Sequence, residues 1–438
     1  SPCAKFGSVF PTETHYSCWV RPQARTRARG HDRERPYHSC RCFEAPTCQG
    51  LRQTVDCRCR GSDVEDMFSR GPLSTGGVHW MNARERFLET FRFGSPDRPF
   101  MVPQWVFPDT IKRWQSEGMP ADVHFNEYFG FDRYEQIPIN LGLIPAIEED
   151  TVDETKEYRV VEDEFGGRRK VWKYKGIGMP QWLSYPLRNR DTWERFKQRL
   201  NPLSPCRYPL YWDDLKRYWK GRDYPLGIHG GSYYGWLRNW MGMENLAVLY
   251  YDDPDLVAEM TNYVGEFVLA TIRRAVEEVE LDYAVYWEDM AMKTGSLISP
   301  ALFRRYMSEN YRRVNSFLRA YGIDIHLVDC DGNVDELIPL WLEVGVNGVY
   351  PLEIAAGCDP LAYRERYGRE LIMFGGIDKR ALRTDRKTVE EEVASKVPAL
   401  TKAGGWAPFV DHSVPPDVPL DNFQHYLDLC HEIFKATC

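Results

Sequence analysis

The stretch from His326 to Trp341, HLVDCDGNVDELIPLW, begins as a buried strand and ends with the spacing of a helix. Asp329, Cys330 and Asp331 sit between the two, where the strand stops. Asn333 and Glu336 are spaced as the cap and third helical residue of a capping box, which leaves Asp329 and Asp331 with no capping job. On a strand, side chains alternate, so Asp329 and Asp331 point one way and Cys330 the other, as a buried small hydrophobe. His326, three residues back, faces away from the strand end and is read as structural.

The same strand-then-helix unit recurs on both sides of this stretch. PLGIHGG, YAVYWEDM, NGVYPLEI, LIMFGGID and GWAPFVDH are apolar runs separated by longer amphipathic segments, with Gly322, Gly345, Gly368 and Gly404 placed as helix stops. Continuously apolar strands between helices indicate a parallel sheet covered on both faces. With FMVPQWVF and one more strand near the insertion described below there are about eight units, the number of a TIM (β/α)8 barrel in an α/β chain. Residues 143–175 break the pattern and read as a β-hairpin insertion around Gly166-Gly167. Neither a G-x-G-x-x-G opening a helix nor a P-loop is present, so no nucleotide cofactor is expected.

A barrel of this kind carries its active site at the C-terminal ends of the strands. Those ends hold His229, Trp287 followed by Glu288-Asp289, the Asp329/Asp331 pair, Tyr350 and Glu353, Asp378-Lys379-Arg380, and Asp411-His412. Unpaired buried carboxylates are costly, so a core does not need five strands ending this way. Asp329, Asp331, His412 and Glu288 supply oxygens and an imidazole nitrogen suited to zinc with an open position, or to a harder cation such as manganese. Glu288, Asp329 and His412 are the expected catalytic groups. His229, Trp287, Tyr350, Glu353 and Asp378 are expected to bind substrate, with Tyr233 and Trp236 as further wall residues. The segment HGGSYYGWLRNWMG has the glycines and aromatics of a lid.

From about Met81 to Ala436 the chain resembles the uroporphyrinogen decarboxylase-like (URO-D) superfamily. The resemblance rests on NARERFLETFRFGSPDRP, WEDM, LISPALFRRYMSENYRRV, DGNVDELIPLWLEVGVNGVYPLE, GGIDKRAL and DHSVPPDVPLDNF, which occur in that order. It implies a TIM barrel and one of two chemistries, decarboxylation in haem synthesis or cobalamin-linked methyl transfer. True decarboxylases carry an Arg-Gln-Ala-Gly-Arg-Tyr-type segment after their first Arg-Pro. Here Arg98-Pro99 is followed by FMVPQWVFPDTIKRW, without arginines to grip a polycarboxylate. His412 matches the histidine of the decarboxylases' C-terminal Gly-His-Gly stretch. The superfamily's thiol methyltransferases hold zinc with a His-x-Cys pair before a Gly-Asn turn and a later Cys. Aligned on Gly332-Asn333, those positions carry Asp329, Asp331 and His412.

The resemblance therefore implies a corrinoid-dependent methyltransferase acting on an O- or N-methyl substrate, with the corrinoid carried by a partner protein and a divalent metal, zinc foremost. The alternatives are a decarboxylase of a small carboxylated substrate, which needs Arg238, Lys379 or Arg380 turned inward, and a non-catalytic corrinoid- or ligand-binding module. A homodimer is allowed.

Residues 81–438 are acidic. The first 80 residues carry eleven arginines, one lysine and eight acids, a balance of +4, so the rest holds −12 of the total −8. An acidic body offers no broad surface for nucleic acid. No apolar run is long enough to span a membrane and no secretory signal is visible, so the cytoplasm is the expected compartment. Residues 1–80 show no period and hold seven of the twelve cysteines. The pairs among Cys40, Cys42, Cys48, Cys57 and Cys59 are spaced C-x-C, unlike common zinc modules, and no export signal supports disulfides. This leader is expected to be disordered, or to be upstream sequence translated in the wrong register with the natural start at Met81. The intact mass of the native protein decides: a species that retains residues 1–80 refutes the second alternative.

Overall fold

The computed structural model describes residues 80–173 and 180–437, so the expectations for residues 1–79 lie outside it. The first helix of the described residues is Ala83–Phe91, started by a complete capping box between Asn82 and Glu85. Seven strands then form one parallel sheet in chain order: β1 (Glu135–Gln136), β2 (Leu226–Gly231), β3 (Tyr283–Trp287), β4 (Ile325–Asp329), β5 (Gly348–Tyr350), β6 (Ile372–Phe374) and β7 (Trp406–Ala407). Helices Pro254–Glu278, Ser308–Ala320, Ile338–Val344, Pro360–Tyr367 and Arg386–Ala403 run between successive strands from β2 onward. The sheet is curled in the manner of a TIM barrel. The run FMVPQWVF is not a regular strand but lies between the two edges of the sheet. Val106 is bridged in parallel to Val414, and Met101 O accepts the Asp132 N–H.

Period-two alternation divides the core into two layers. Tyr283, Val285, Ile325, Leu327, Tyr350, Ile372, Phe374 and Ala407 face inward and pack together. Ala284, Tyr286, Val328, Val349, Met373 and Trp406 face the helices. One end of the interior is plugged by the first helix. The Phe87 ring lies 5.2 Å from Phe100 and 5.1 Å from Tyr283, and Phe91 stacks on Phe374 at 4.8 Å. Burying each phenylalanine contributes about 1.5–3 kcal/mol. Thr90 O accepts the Gly405 N–H just ahead of β7, which sets the plug at the N-terminal ends of the strands.

Two sequence expectations change. The hairpin of residues 143–175 is part of a four-stranded antiparallel sheet, Asp150–Glu154, Tyr158–Glu162, Arg168–Trp172 and Gln181–Ser184, with Gly166 at φ 89° in the central turn. The capping box at Asn333 and Glu336 does not form, because the helix begins only at Ile338. Asn333 instead accepts the Asp335 N–H at 3.1 Å and donates to Ala356 O at 2.9 Å, fixing a turn. Among the described residues no helix is long and apolar enough to cross a membrane.

Candidate functional site

At the C-terminal end of the sheet, Asp329 is the register partner of Trp287 on one side and Tyr350 on the other. Adjacent strands lie about 4.8 Å apart. Asp329 continues the inward series Ile325, Leu327, so an acid stands in a row between two aromatic residues. Tyr134 and Trp105 pack on the same inner layer, and the Trp105 ring is 5.8 Å from that of Tyr350. The Tyr134 hydroxyl is pushed up to about 12 by burial and by the neighbouring Asp329.

Asp329 is only 6% exposed, and no described residue donates a hydrogen bond to its carboxyl. Burial, then Asp331 and Asp289, raise its proton affinity well above the ordinary carboxylate range. Asp331 Oδ2 lies 3.2 Å from His412 Nε2. Its Oδ1 is buried and has no hydrogen-bond partner. The hydrogen bond to Asp331 raises the His412 imidazole above its usual value.

The loop after β3 holds this turn in place. Asp289 has φ 46°, a strained conformation for a non-glycine residue. Its Oδ1 accepts the Asp331 N–H at 3.2 Å, while Arg238 donates to its backbone oxygen at 2.6 Å and to Oδ2 at 3.1 Å. Gly332, at φ 88°, lets the two loops meet, since a Cβ there would stand 2.8 Å from the Ala291 backbone. Glu353 accepts the Gly332 N–H at 2.9 Å and faces Lys379 Nζ at 3.2 Å. Lys379 also lies 3.3 Å from buried Asp411, which accepts the N–H groups of Lys379 and Ile354. His229 is kept neutral by burial, which lowers it to about 4. Its Nδ1 accepts the Gly231 N–H at 2.9 Å and its ring stacks on Trp236.

Of the residues expected from sequence, Trp287, Asp329, Tyr350, Asp331, His412 and Glu353 are thus linked at one end of the sheet. Glu288 is not among them. It follows Trp287 by one residue and faces the helix layer, where its carboxylate accepts N–H groups of Tyr233, Tyr234 and Gly235 at 2.8, 2.8 and 3.1 Å. The Ser232 and Tyr311 hydroxyls complete the set. Glu288 therefore fastens the segment ahead of the helix Gly235–Met241, on the opposite face of the sheet from Asp329. Asp378 is also outside the site: it caps the helix Lys379–Leu382 and pairs with Arg380 at 2.7 Å. Tyr233 packs in the helix layer beside Tyr286 and Tyr311.

Among the described residues no three His, Cys, Asp or Glu side chains converge as a metal site. Tyr134 and Trp105 carry no signal in the sequence that assigns them to the site. Asp289 was visible as a strand-end acid, but its positive φ and its bond to Asp331 follow only from the fold.

Residues 237–433 match the family Uroporphyrinogen decarboxylase (URO-D). No curated protein matches the sequence significantly. Among solved structures, a methyltransferase from Methanosarcina mazei aligns with TM-score 0.51 and 14% identity, covering 81% of this chain and 99% of that one. A B12-independent methionine synthase from Shewanella sp. W3-18-1 aligns with TM-score 0.33 and 10% identity, over 75% of this chain and 85% of that one.

The contrast between the two carboxyls is testable. Glu288→Ala leaves several buried donors unsatisfied and is expected to cost about 2–4 kcal/mol in urea unfolding. A carboxyl whose affinity is raised by folding destabilises the fold as pH climbs above its unfolded value of about 3.9. Asp329→Asn is therefore expected to be more stable than the unmodified protein at pH 8; lower stability would contradict this assignment. His412, raised in the fold, adds stability below about pH 6.5 that is lost as pH rises through its folded value. NMR titration is expected to place its midpoint above about 6.5 and to show a fall on Asp331→Asn; an unmoved midpoint refutes the pairing.

The likeness to the family Uroporphyrinogen decarboxylase (URO-D) is carried by residues 237–433, the span that holds strands β3 to β7.

Proposed function

We propose that this protein is a corrinoid-dependent methyltransferase that removes a methyl group from a small O- or N-methyl substrate. The observation that carries the reading is the inward row Trp287–Asp329–Tyr350, joined through Asp331 to His412 at the C-terminal end of the sheet. A methyltransferase-like fold and the URO-D domain are consistent with it. The corrinoid, on a partner protein, would supply the methyl acceptor.

This chain's own residues meet the remaining needs of the reaction. Trp287 and Tyr350 flank the methyl-bearing part of the substrate and shield it from water. His412, oriented by Asp331, is positioned to give a proton to the departing oxygen or nitrogen. Asp289 and Arg238 fix the Asp331 turn, so the imidazole is held in register with the row.

The decarboxylase alternative needs a cation free to hold a carboxylate. Arg238 is taken by Asp289, Lys379 by Glu353 and Asp411, and Arg380 by Asp378. A simple binding module would not need Asp329 in so unfavourable an environment.

The test is consumption of free cob(I)alamin by the purified full chain with a panel of methyl ethers and methylamines. At least one is expected to react, with Asp331→Asn and His412→Ala about 10²-fold slower. No consumption with any methyl donor, together with CO2 release from a carboxylated compound, would replace this reading with decarboxylation.

A further inference from the structure

The walls of this site differ from those needed for a neutral ether. We infer that its substrate carries a methylated ammonium cation, seated between Trp287 and Tyr350 against Asp329. Calling that molecule the substrate rests on the function proposed above; its binding does not.

Three observations support the assignment. First, Asp329 is nine-tenths buried on the inward face, yet no described residue donates to its carboxyl. Asp331 Oδ1 is a second buried acceptor without a partner. Leaving such acceptors unmet costs about 1–3 kcal/mol each, which a bound cation offsets. Second, the fixed charge is one-sided. Five acids, Asp289, Asp329, Asp331, Glu353 and Asp411, face Arg238, Lys379 and the His412 imidazole, each already paired with a member of that group. Third, the residues beside Asp329 are aromatic: Trp287 and Tyr350 adjoin it in register, with Trp105 and Tyr134 on the inner layer. The Arg238 guanidinium lies 5.4 Å from the Trp287 ring and Tyr350 stacks on Phe374, which leaves a cation the opposite ring faces.

A metal ion needs convergent donors, and no such group of three is present among the described residues. A primary ammonium ion is strongly hydrated and asks for several hydrogen-bond acceptors around it. An N-methylated ammonium spreads its charge over methyl groups, needs few hydrogen bonds and is held well by tryptophan and tyrosine faces. A neutral ether would leave the acids uncompensated, and an anionic substrate would be repelled.

The experiment is calorimetric titration of the full chain with tetramethylammonium, choline and 3,3-dimethylbutan-1-ol, the uncharged isostere of choline. Choline is expected to bind at least about 10-fold more tightly than the alcohol. Asp329→Asn and Trp287→Leu should each weaken choline about 10-fold while the melting transition stays cooperative, and Trp287→Phe should restore part of the affinity. Equal binding of choline and the alcohol, or no binding of either cation, overturns the inference. Cob(I)alamin consumption with an ether but no ammonium binding would sink this inference alone. Ammonium binding by a chain that transfers no methyl group would support it and sink the methyltransferase reading.

Discussion

The two-residue alternation of strands β3 and β4 is the constraint on which the site depends. In β4 it sends Ile325, Leu327 and Asp329 into the barrel interior, and His326, Val328 and Cys330 toward the helices. In β3 it sends Trp287 inward and Glu288 outward. Parallel pairing then sets Trp287, Asp329 and Tyr350 side by side. A shift of one residue in either strand would bring Glu288 to the mouth and bury Asp329 among the helices.

Those two carboxyls show how differently a buried acid can be used. Glu288 accepts five hydrogen bonds, three from the backbone just ahead of a helix, and so ties that helix to β3. Asp329 accepts none from the described residues and stands beside two other acids. The first arrangement stabilises the fold. The second is unfavourable, and the turn that carries it is held by the Arg238–Asp289 clamp and by Gly332. Unfavourable groups persist where function uses them, since the rest of the fold can absorb a few kcal/mol.

Much of this organisation is legible in the sequence because apolar period and helix stops repeat along the body. The strands from PLGIHGG to GWAPFVDH and the inward Asp-x-Asp pair follow from local pattern alone. Cys330 and His326 also stand where alternation puts them: the Cys330 thiol accepts the Met290 N–H, and His326 bridges Ile323 O and Gly345 O. What fails depends on strand ends. YAVYWEDM marks Glu288 as a strand-end acid, but which face it takes depends on where the strand's alternation begins. Asn333 has the spacing of a cap, yet Ala356, distant in sequence, recruits its amide and delays the helix. The outer strands of the four-stranded sheet, DTVDE and QWLS, are largely exposed and carry little apolar pattern, so the sequence shows a hairpin rather than a sheet.

Carboxyl footprinting of the folded chain with a carbodiimide and an amine, read by peptide mass spectrometry, tests the inward–outward division most directly. The account predicts modification of Asp331, protection of Asp331 by a bound methylated substrate, and no modification of Glu288 until the protein unfolds. Modification of Glu288 in the folded chain as fast as that of Asp331 would contradict it, and the proposed site with it.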